Sequence, residues 1–496
     1  DLVVGKDCIR IPRDPGNGFW TLIGDPGVGK SSFIEKSLIQ IRSFGEKTFI
    51  FDPNGEMYEK FGRPDDKILS LYDDRAVFHD FWAEDFEPLT IASALVEERA
   101  GATGFWTKAG QILFAALLQH CKNQQELWDI LQMRWFEIHA LLMADGHLAA
   151  RFVDEAKFAS NTVNSAAVDL YFLGYMNYWA KSQGRENPFS IQKWVNNNED
   201  KSWVFVTVMD GHKSASRDLV RMWVDLCINS LFERGESEKN VPVHVVCDEF
   251  ETLGCCPSLV NLLARGRKYR GRLILGMQAR SQLETSFGKD RAVTVLQGLQ
   301  NKILFRSSDS DMAEFASALL GDQEVEEATF VSSLSRDGEQ ISISSSVGHR
   351  RNVLPDEIRS LPDMCGYLWL SQEINPAPIR IEKISLPSIN PKGKFYNRVP
   401  PGFIHSLAPD WENKHQELIK FAIEKSEMAM KKEKLSGLKT EKELLEFETG
   451  KESNQGKKPP AKTEEKPSAK PFAAVPDAIQ PVGPERTDLM EDFWRI

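Results

Sequence analysis

A chain that reads Gly24-Asp25-Pro26-Gly27-Val28-Gly29-Lys30-Ser31, directly after the apolar run Phe19 to Ile23 and before a helical pattern, has few folds open to it. Glycines at 24, 27 and 29 let the backbone curl until successive N–H groups converge on an anion, which requires a strand feeding in and a helix leading out. Lys30 then reaches the β- and γ-phosphates of a nucleotide, and the Ser31 hydroxyl ligates Mg²⁺. Pro26 has no N–H to contribute, so the cradle falls mainly to Val28 to Ser32, helped by the N-terminus of the following helix. The pattern alone also fits a Gly-rich turn. Strand before and helix after favour nucleotide binding by Gly24, Gly27, Gly29, Lys30, Ser31 and Ser32.

Residues Ser31 to Arg42 carry helical spacing and Lys47 to Phe51 reads as a short buried strand, so strand, helix and strand begin a parallel α/β sheet. That second strand runs into Asp52-Pro53-Asn54-Gly55-Glu56, which is either a ligand-facing strand end or a solvated turn. From about Pro88 to Pro188 strand-like runs vanish and apolar residues recur every three or four positions, as in Phe105-Trp106, Ile112, Phe114, Ala115 and Leu118. This predicts an inserted all-helical domain. Trp128, Met133, Trp135, Phe136 and Met143 are expected in its core.

The sheet resumes at Trp203 to Met209, followed by a helix through Arg217 to Arg234 and the apolar run Val241 to Cys247, which ends in Asp248-Glu249. A buried strand delivering adjacent carboxylates opposite a phosphate loop suits an ATPase: Asp248 holds Mg²⁺ through water and Glu249 orients and deprotonates the attacking water. Arg265, Arg267, Lys268, Arg270 and Arg272 follow, either as a solvated basic stretch or as groups for a neighbouring subunit's γ-phosphate or for nucleic acid. The strand Leu273 to Met277 ends at Gln278, placed to sense the γ-phosphate, and Lys302 to Phe305 ends at Arg306. A guanine reader of the form Asn-Lys-x-Asp is not met by Asn301-Lys302-Ile303-Leu304, which favours ATP. Ile341 to Ser345, Tyr367 to Leu370 and Ile379 to Ile384 alternate with period two and are expected to close the edge of the sheet.

A length of 496 residues with 41% hydrophobic residues implies two or three domains with a substantial core. A net charge of −11 argues against a uniformly basic, nucleic-acid-coating surface while leaving local patches open. The seven cysteines show no metal-type spacing and fit buried thiols in a reducing cytosol. No apolar run reaches the length of about 18 residues that spans a bilayer. The start at Asp1 leads to the expectation of a missing N-terminal piece that carries membrane anchors.

Beyond Pro409, Trp411 to Phe447 is rich in Lys and Glu and reads as one or two solvated helices without a heptad. Lys451 to Pro484 has the composition of a flexible tether. Leu489, Met490, Phe493 and Trp494 then fall on one face of a terminal helix, Thr487 to Ile496, read as a partner-binding peptide or as a tail that folds back on its own domain.

With these elements placed, the chain resembles the TraD/TraG-type coupling proteins of type IV secretion systems, relatives of hexameric DNA-pumping ATPases such as FtsK and HerA. The likeness extends to Phe51-Asp52-Pro53-Asn54-Gly55-Glu56, to Tyr72-Asp73-Asp74-Arg75 with Phe81-Trp82, to Phe105-Trp106 through Ala116, and to Ala264 through Gln278. It covers about residues 1 to 390. It implies a RecA-like P-loop ATPase core in an α/β fold, with an inserted all-α domain and a largely disordered C-terminal tail. The corresponding boundaries are 1–87 and 191–407 for nucleotide binding, 88–190 all-α, 408–450 charged helical, 451–484 linker and 485–496 peptide.

The resemblance further implies ATP and Mg²⁺ at Lys30 and Ser31, metal-holding and water-activating roles for Asp248 and Glu249, γ-phosphate sensing by Gln278, and Arg267 as a finger supplied in trans. Arg265 and Arg270 remain alternatives for that finger. Implied partners are single-stranded DNA in the pore of a homohexamer, relaxosome proteins at Leu489 to Ile496, the secretion channel, and the cytoplasmic face of the bacterial inner membrane, this chain being a soluble cytoplasmic fragment. A competing reading is an adaptor that recruits cargo and uses ATP for assembly.

Overall fold

The computed structural model describes residues 2–4, 9–11, 18–96, 104–153, 172–174, 176, 187–208, 213–250, 256–335, 338–371, 376–390 and 420. The charged helices, the tether and the terminal peptide anticipated after Pro409 lie outside them, apart from Lys420. A small antiparallel pair, β1 (Leu2–Val4) with β2 (Ile9–Ile11), precedes the main sheet. The phosphate-loop strand β3 (Phe19–Ile23) leads through the loop to α1 (Lys30–Ser43), and β4 (Lys47–Phe51), α2 (Glu56–Phe61) and β5 (Lys67–Leu69) follow.

Then the described residues form helices and no strand of the sheet: α3 (Pro88–Leu95), α4 (Gly104–His120), α5 (Gln124–Leu131), α6 (Trp135–Ala144) and, after the intervening segment, α7 (Ile191–Asn196). The sheet returns with β6 (Val204–Val206), the long helix α8 (Lys213–Glu233), β7 (Val243–Cys247), α9 (Pro257–Arg265) and β8 (Gly271–Met277). Next are α10 (Arg280–Phe287), α11 (Lys289–Gly298), β9 (Asn301–Phe305) and α12 (Ser310–Leu319). A hairpin of β10 (Asp322–Ser335) and β11 (Gly338–Arg351), then α13 (Pro355–Arg359), β12 (Cys365–Leu370) and β13 (Ala377–Arg380) complete the described elements.

Nine strands form one sheet in the order β13-β12-β9-β3-β8-β7-β4-β6-β5, with every pairing from β9 to β5 parallel and the β12 pairings antiparallel. The central strands are buried on both faces and therefore read as continuous apolar runs. Their side chains alternate between two apolar layers. Phe19, Ile23, Val245, Leu273 and Leu275 join one cluster, and Trp20, Leu22, Val246 and Ile274 join the other with Phe33, Ile34 and Leu38 of α1.

The helical stretch does not keep a core to itself. Leu113, Phe114, Leu117, Leu127, Ile138 and Leu142 belong to the same cluster as Phe19 and Leu273. Within that stretch Trp128 and Met133 are buried and Trp135 packs at the margin. Phe136 and Met143 depart from the expectation of burial, at 46% and 44% exposure, because they lie on the outer side of α6 while Ile138, Leu141 and Leu142 face inward. The chain leaves for the helices and returns at one buried carboxylate. Glu84 accepts hydrogen bonds from Ser190 Oγ (2.8 Å) and the backbone N–H groups of Ile191 (2.7 Å) and Gln192 (3.0 Å), with His79 at 3.0 Å.

The edge of the sheet differs from the alternation pattern in one place. β12 and β13 do close it, but Ile341 to Ser345 belongs to the β10–β11 hairpin, a separate two-stranded sheet whose register runs from Asp322 opposite Arg351 to Ser335 opposite Gly338. Period-two alternation marks a strand without saying which neighbour it pairs with. Of the described cysteines, Cys121, Cys227, Cys247 and Cys256 are buried.

The turn after β4 resolves into two different carboxylates. Glu56 is exposed, whereas Asp52 is 3% exposed and accepts from the N–H groups of Met57 (2.9 Å) and Tyr58 (2.8 Å) at the start of α2. Burial pushes the Asp52 carboxyl up to about 7, against the pull of those two N–H groups. A carboxyl that titrates near 7 when folded holds its proton longer in the native state than in the unfolded chain. Its favourable contribution is thus full below about pH 4 and is lost as the pH rises through about 7. The urea midpoint is expected to fall between about pH 5 and about pH 8, and Asp52→Asn to flatten that fall; an unchanged slope in the variant contradicts the assignment.

Candidate functional site

The parallel strands bring their carboxyl ends to one edge, and the candidate residues collect there. The loop after β3 is slung between two neighbours. Gly24 N–H donates to the Met277 carbonyl at the end of β8 (3.2 Å), and Asp25 N–H donates to the Arg306 carbonyl just past β9 (2.9 Å). The Asp25 carboxylate also accepts from the N–H (2.9 Å) and hydroxyl (3.1 Å) of Ser308. Gly29 has φ 120°, and a Cβ there would stand 3.0 Å from the sulfur of Met364, so this turn has room for glycine alone.

Helix α1 opens at Gly29 with no side-chain cap and no acidic residue in its first turn. Its N-terminal N–H groups and positive dipole end thus face the loop without an internal counter-anion, the arrangement that receives phosphate oxygens. Lys30 is buried and donates to the carbonyls of Gly24 (2.6 Å) and Asp25 (2.9 Å).

Asp248 follows β7, which is not adjacent to β3; β8 lies between them. The contact nevertheless closes, with Ser31 Oγ donating to Asp248 Oδ2 at 2.5 Å. It closes because β8 carries no side chain where it passes Asp248: a Cβ on Gly276 would sit 2.2 Å from the Asp248 carbonyl oxygen. Among the described residues Asp248 Oδ1 is buried with no partner, and burial pushes the carboxyl up from its usual range, partly offset by the Ser31 bond and by Lys30.

A hydroxyl and an unpartnered buried carboxylate oxygen side by side are hard oxygen donors suited to Mg²⁺ shared with phosphates. Among the described residues no group of three or more His, Cys, Asp and Glu could hold a metal by itself. Glu249 and Gln278 line the same cleft of about 390 Å³, together with Gly27, Gly29, Lys30, Ser31, Ser32 and Asp248.

The structure brings Arg267 nowhere near this cleft. It lies in a short 3₁₀ turn before β8, at the opposite end of that strand from Gln278. Its neighbours are engaged: Arg265 lies over the Phe232 ring at 4.8 Å, Lys268 approaches Glu236 at 3.8 Å, and Arg272 is buried. Arg270 is half-buried, and Arg267 is exposed with no acidic partner among the described residues. Asn301 and Lys302 sit at the start of β9, donating to the carbonyls of Phe19 and Leu299 far from the loop, so they do not read a base.

Two residues of the cleft carry no sequence motif. Met364 donates its N–H to the Val28 carbonyl (2.8 Å), and Lys383 lines the cleft from beyond β13. Only the folding of the distant edge strands brings them to the loop.

Residues 9–382 match the model of the type IV secretion-system coupling protein DNA-binding domain. The coupling protein TraD of Escherichia coli (strain K12) is 28% identical over 432 residues, covering 84% of this chain and 58% of that protein. This chain therefore spans less than two thirds of that relative's length. The plasmid coupling protein TrwB in complex with ADP and Mg²⁺ superimposes with a TM-score of 0.69 at 25% identity, covering 80% of this chain and 93% of that one. TrwB in complex with a non-hydrolysable GTP analogue gives 0.68 at 25% identity, covering 79% and 92%.

The close passage of β8 beneath Asp248 makes a test. Gly276→Ala is expected to displace Asp248 from Ser31 and to weaken binding of MgATP by about tenfold or more, with a stability loss of about 1–3 kcal/mol from overpacking. Titration of the variant with MgATP, alongside its melting temperature, checks this; unaltered affinity in a folded variant contradicts it.

Proposed function

The chain belongs to the type IV secretion-system coupling proteins, and from that membership we propose that it is an ATP hydrolase that drives single-stranded DNA into a conjugative secretion channel as a homohexameric ring. The observation that carries the reading is the 2.5 Å bond from Ser31 to Asp248, which sets a hydroxyl and a carboxylate beside Glu249 and Gln278 at the mouth of the phosphate loop.

In this reading Lys30 and the N-terminus of α1 bind the β- and γ-phosphates, and Ser31 and Asp248 hold Mg²⁺. Held by those two residues, Mg²⁺ would supply positive charge that offsets the negative charge of the phosphates during transfer. Glu249 aligns the attacking water and takes its proton, and Gln278 hydrogen-bonds to the γ-phosphate, so that its position depends on whether that phosphate is present. Arg267, unable to reach its own cleft, is offered to the next subunit, where a guanidinium stabilises charge on the transferring group. ATP is assigned as the nucleotide because the Asn301-Lys302 pair is committed to backbone carbonyls.

The same reading assigns nucleotide binding to 1–87 and 191–407, with the all-α stretch 88–190 between them. It attaches the relaxase and its accessory DNA-binding protein through Leu489 to Ile496, and places the ring at the cytoplasmic face of the inner membrane. An acidic chain handles DNA in such a ring because positive charge is needed only along the pore.

Shared sites predict a specific pattern of rescue. Lys30→Ala and Arg267→Ala are each expected to lower hydrolysis by about a thousandfold. Mixing the two is expected to restore part of it, since a mixed ring holds clefts with an intact Lys30 facing an intact Arg267. Turnover by the unmodified protein should rise with protein concentration and with single-stranded DNA. Full activity in Arg267→Ala, indifferent to concentration and DNA, would falsify the ring.

One observation supports the adaptor reading: Phe105, Phe136, Met143 and Leu148 of the helical stretch are exposed, Leu148 at 70%. If docking dominates, deleting Leu489 to Ile496 should abolish transfer while Lys30→Ala leaves most of it; a pump gives the opposite order.

A further inference from the structure

The chain after β13 runs from the edge of the sheet past the cleft to α2, fixed at both ends. At one end Ile381 N–H donates to the Met364 carbonyl (2.7 Å), next to the Met364 bond onto Val28 of the phosphate loop. At the other, Ile389 and Asn390 donate their N–H groups to the Glu59 carbonyl (2.9 and 3.1 Å), and Asn390 Nδ2 donates to the carbonyls of Tyr58 and Gly62, both at 2.9 Å. Tyr58 and Glu59 lie in the last turn of α2 and Gly62 directly follows it, and the Tyr58 carbonyl also accepts from the Gly62 N–H (2.8 Å). Tyr58 is itself held between the Arg75 guanidinium (4.7 Å) and the edge of the Phe205 ring (5.1 Å), so the far anchor is firm.

Between the anchors, Lys383 lines the cleft. Its side chain is exposed and has no acidic partner among the described residues. It shares the cleft with Pro26, Gly27 and Gly29 to Ser32 of the phosphate loop, with Met364, and with Asp248, Glu249 and Gln278, so a cation here faces the place of the phosphate oxygens.

We propose that Lys383 is a second cationic contact to the polyphosphate of a bound nucleoside triphosphate, held at the cleft by the strap 381–390. This rests on the reading of the cleft as a nucleotide site. Lys30 comes from the loop and Lys383 from the strap that starts beside Met364, so a triphosphate is contacted by two elements far apart in sequence, and the strap links that contact to α2.

The test is titration of the full chain with MgATP and with MgADP. Lys383→Ala should bind MgATP about tenfold more weakly, as expected for a charge-assisted contact partly screened by solvent, and Lys383→Arg should bind nearly as the unmodified protein does. Asn390→Ala, which loosens the far anchor, should weaken binding by a smaller factor and add nothing in the Lys383→Ala background; additive losses overturn the strap as the link. Lys30→Ala serves as the reference. If it loses MgATP while Lys383→Ala does not, the second contact is wrong and the nucleotide site stands; if neither variant loses MgATP, the cleft is not the nucleotide site and both readings fall.

Discussion

The suspension of residues 24 to 29 between the ends of β8 and β9 is the constraint on which the rest of the site depends. Backbone bonds to Met277 and Arg306 fix where the loop begins, and the Met364 bond to Val28 fixes where it turns. With the loop held on three sides, α1 starts at a set place and points its uncapped N–H groups in a set direction. Ser31, in its first turn, can then meet an acid that belongs to a strand two places away. Loop backbone is normally among the more mobile parts of a fold; here adjoining parts of the sheet supply its order.

The two apolar layers divide the work of holding that sheet. The α1 side is compact and is tied at its far end by Arg42, which forms a bidentate pair with Asp66 (2.6 and 3.1 Å) beneath the Trp203 ring. The opposite side merges without a break into the helices that follow α3. Because those helices share a core with the strands, they behave as a layer of the same body, and the Glu84 cluster closes the chain at the point of departure and return.

Much of this was legible in the amino-acid sequence, for identifiable reasons. Short-range signals carried the loop, the order of strand and helix, and the acids at Asp248 and Glu249, since glycine placement and continuous apolar runs act within a few residues. Long-range pairing was not legible. Nothing near Ile341 shows that its strand pairs only with β10, nothing near Lys383 shows that it reaches the phosphate loop, and Gly276 reads as an ordinary strand glycine until Asp248 is seen against it. Asp52 and Glu56 sit in one turn of sequence and were indistinguishable there, although one caps a helix from within the core and the other is in solvent. The outward positions of Phe136 and Met143 were missed because α6 is apolar nearly all round, so its periodicity does not show which side is covered.

The strand β8 has a mechanical meaning beyond its place in the sheet. All seven of its residues are buried and it is hydrogen-bonded to a parallel neighbour on each side, so it has almost no freedom to bend or shorten. Gln278 follows its last residue and Arg267 lies in the short turn before its first, and the strand between them spans about 23 Å at the rise of an extended chain. Such a strand moves as one piece, so a shift of its cleft end carries the rest of the strand with it. The cleft edge of the sheet and the basic turn at its far edge are thus joined by one element that has little room to yield between them.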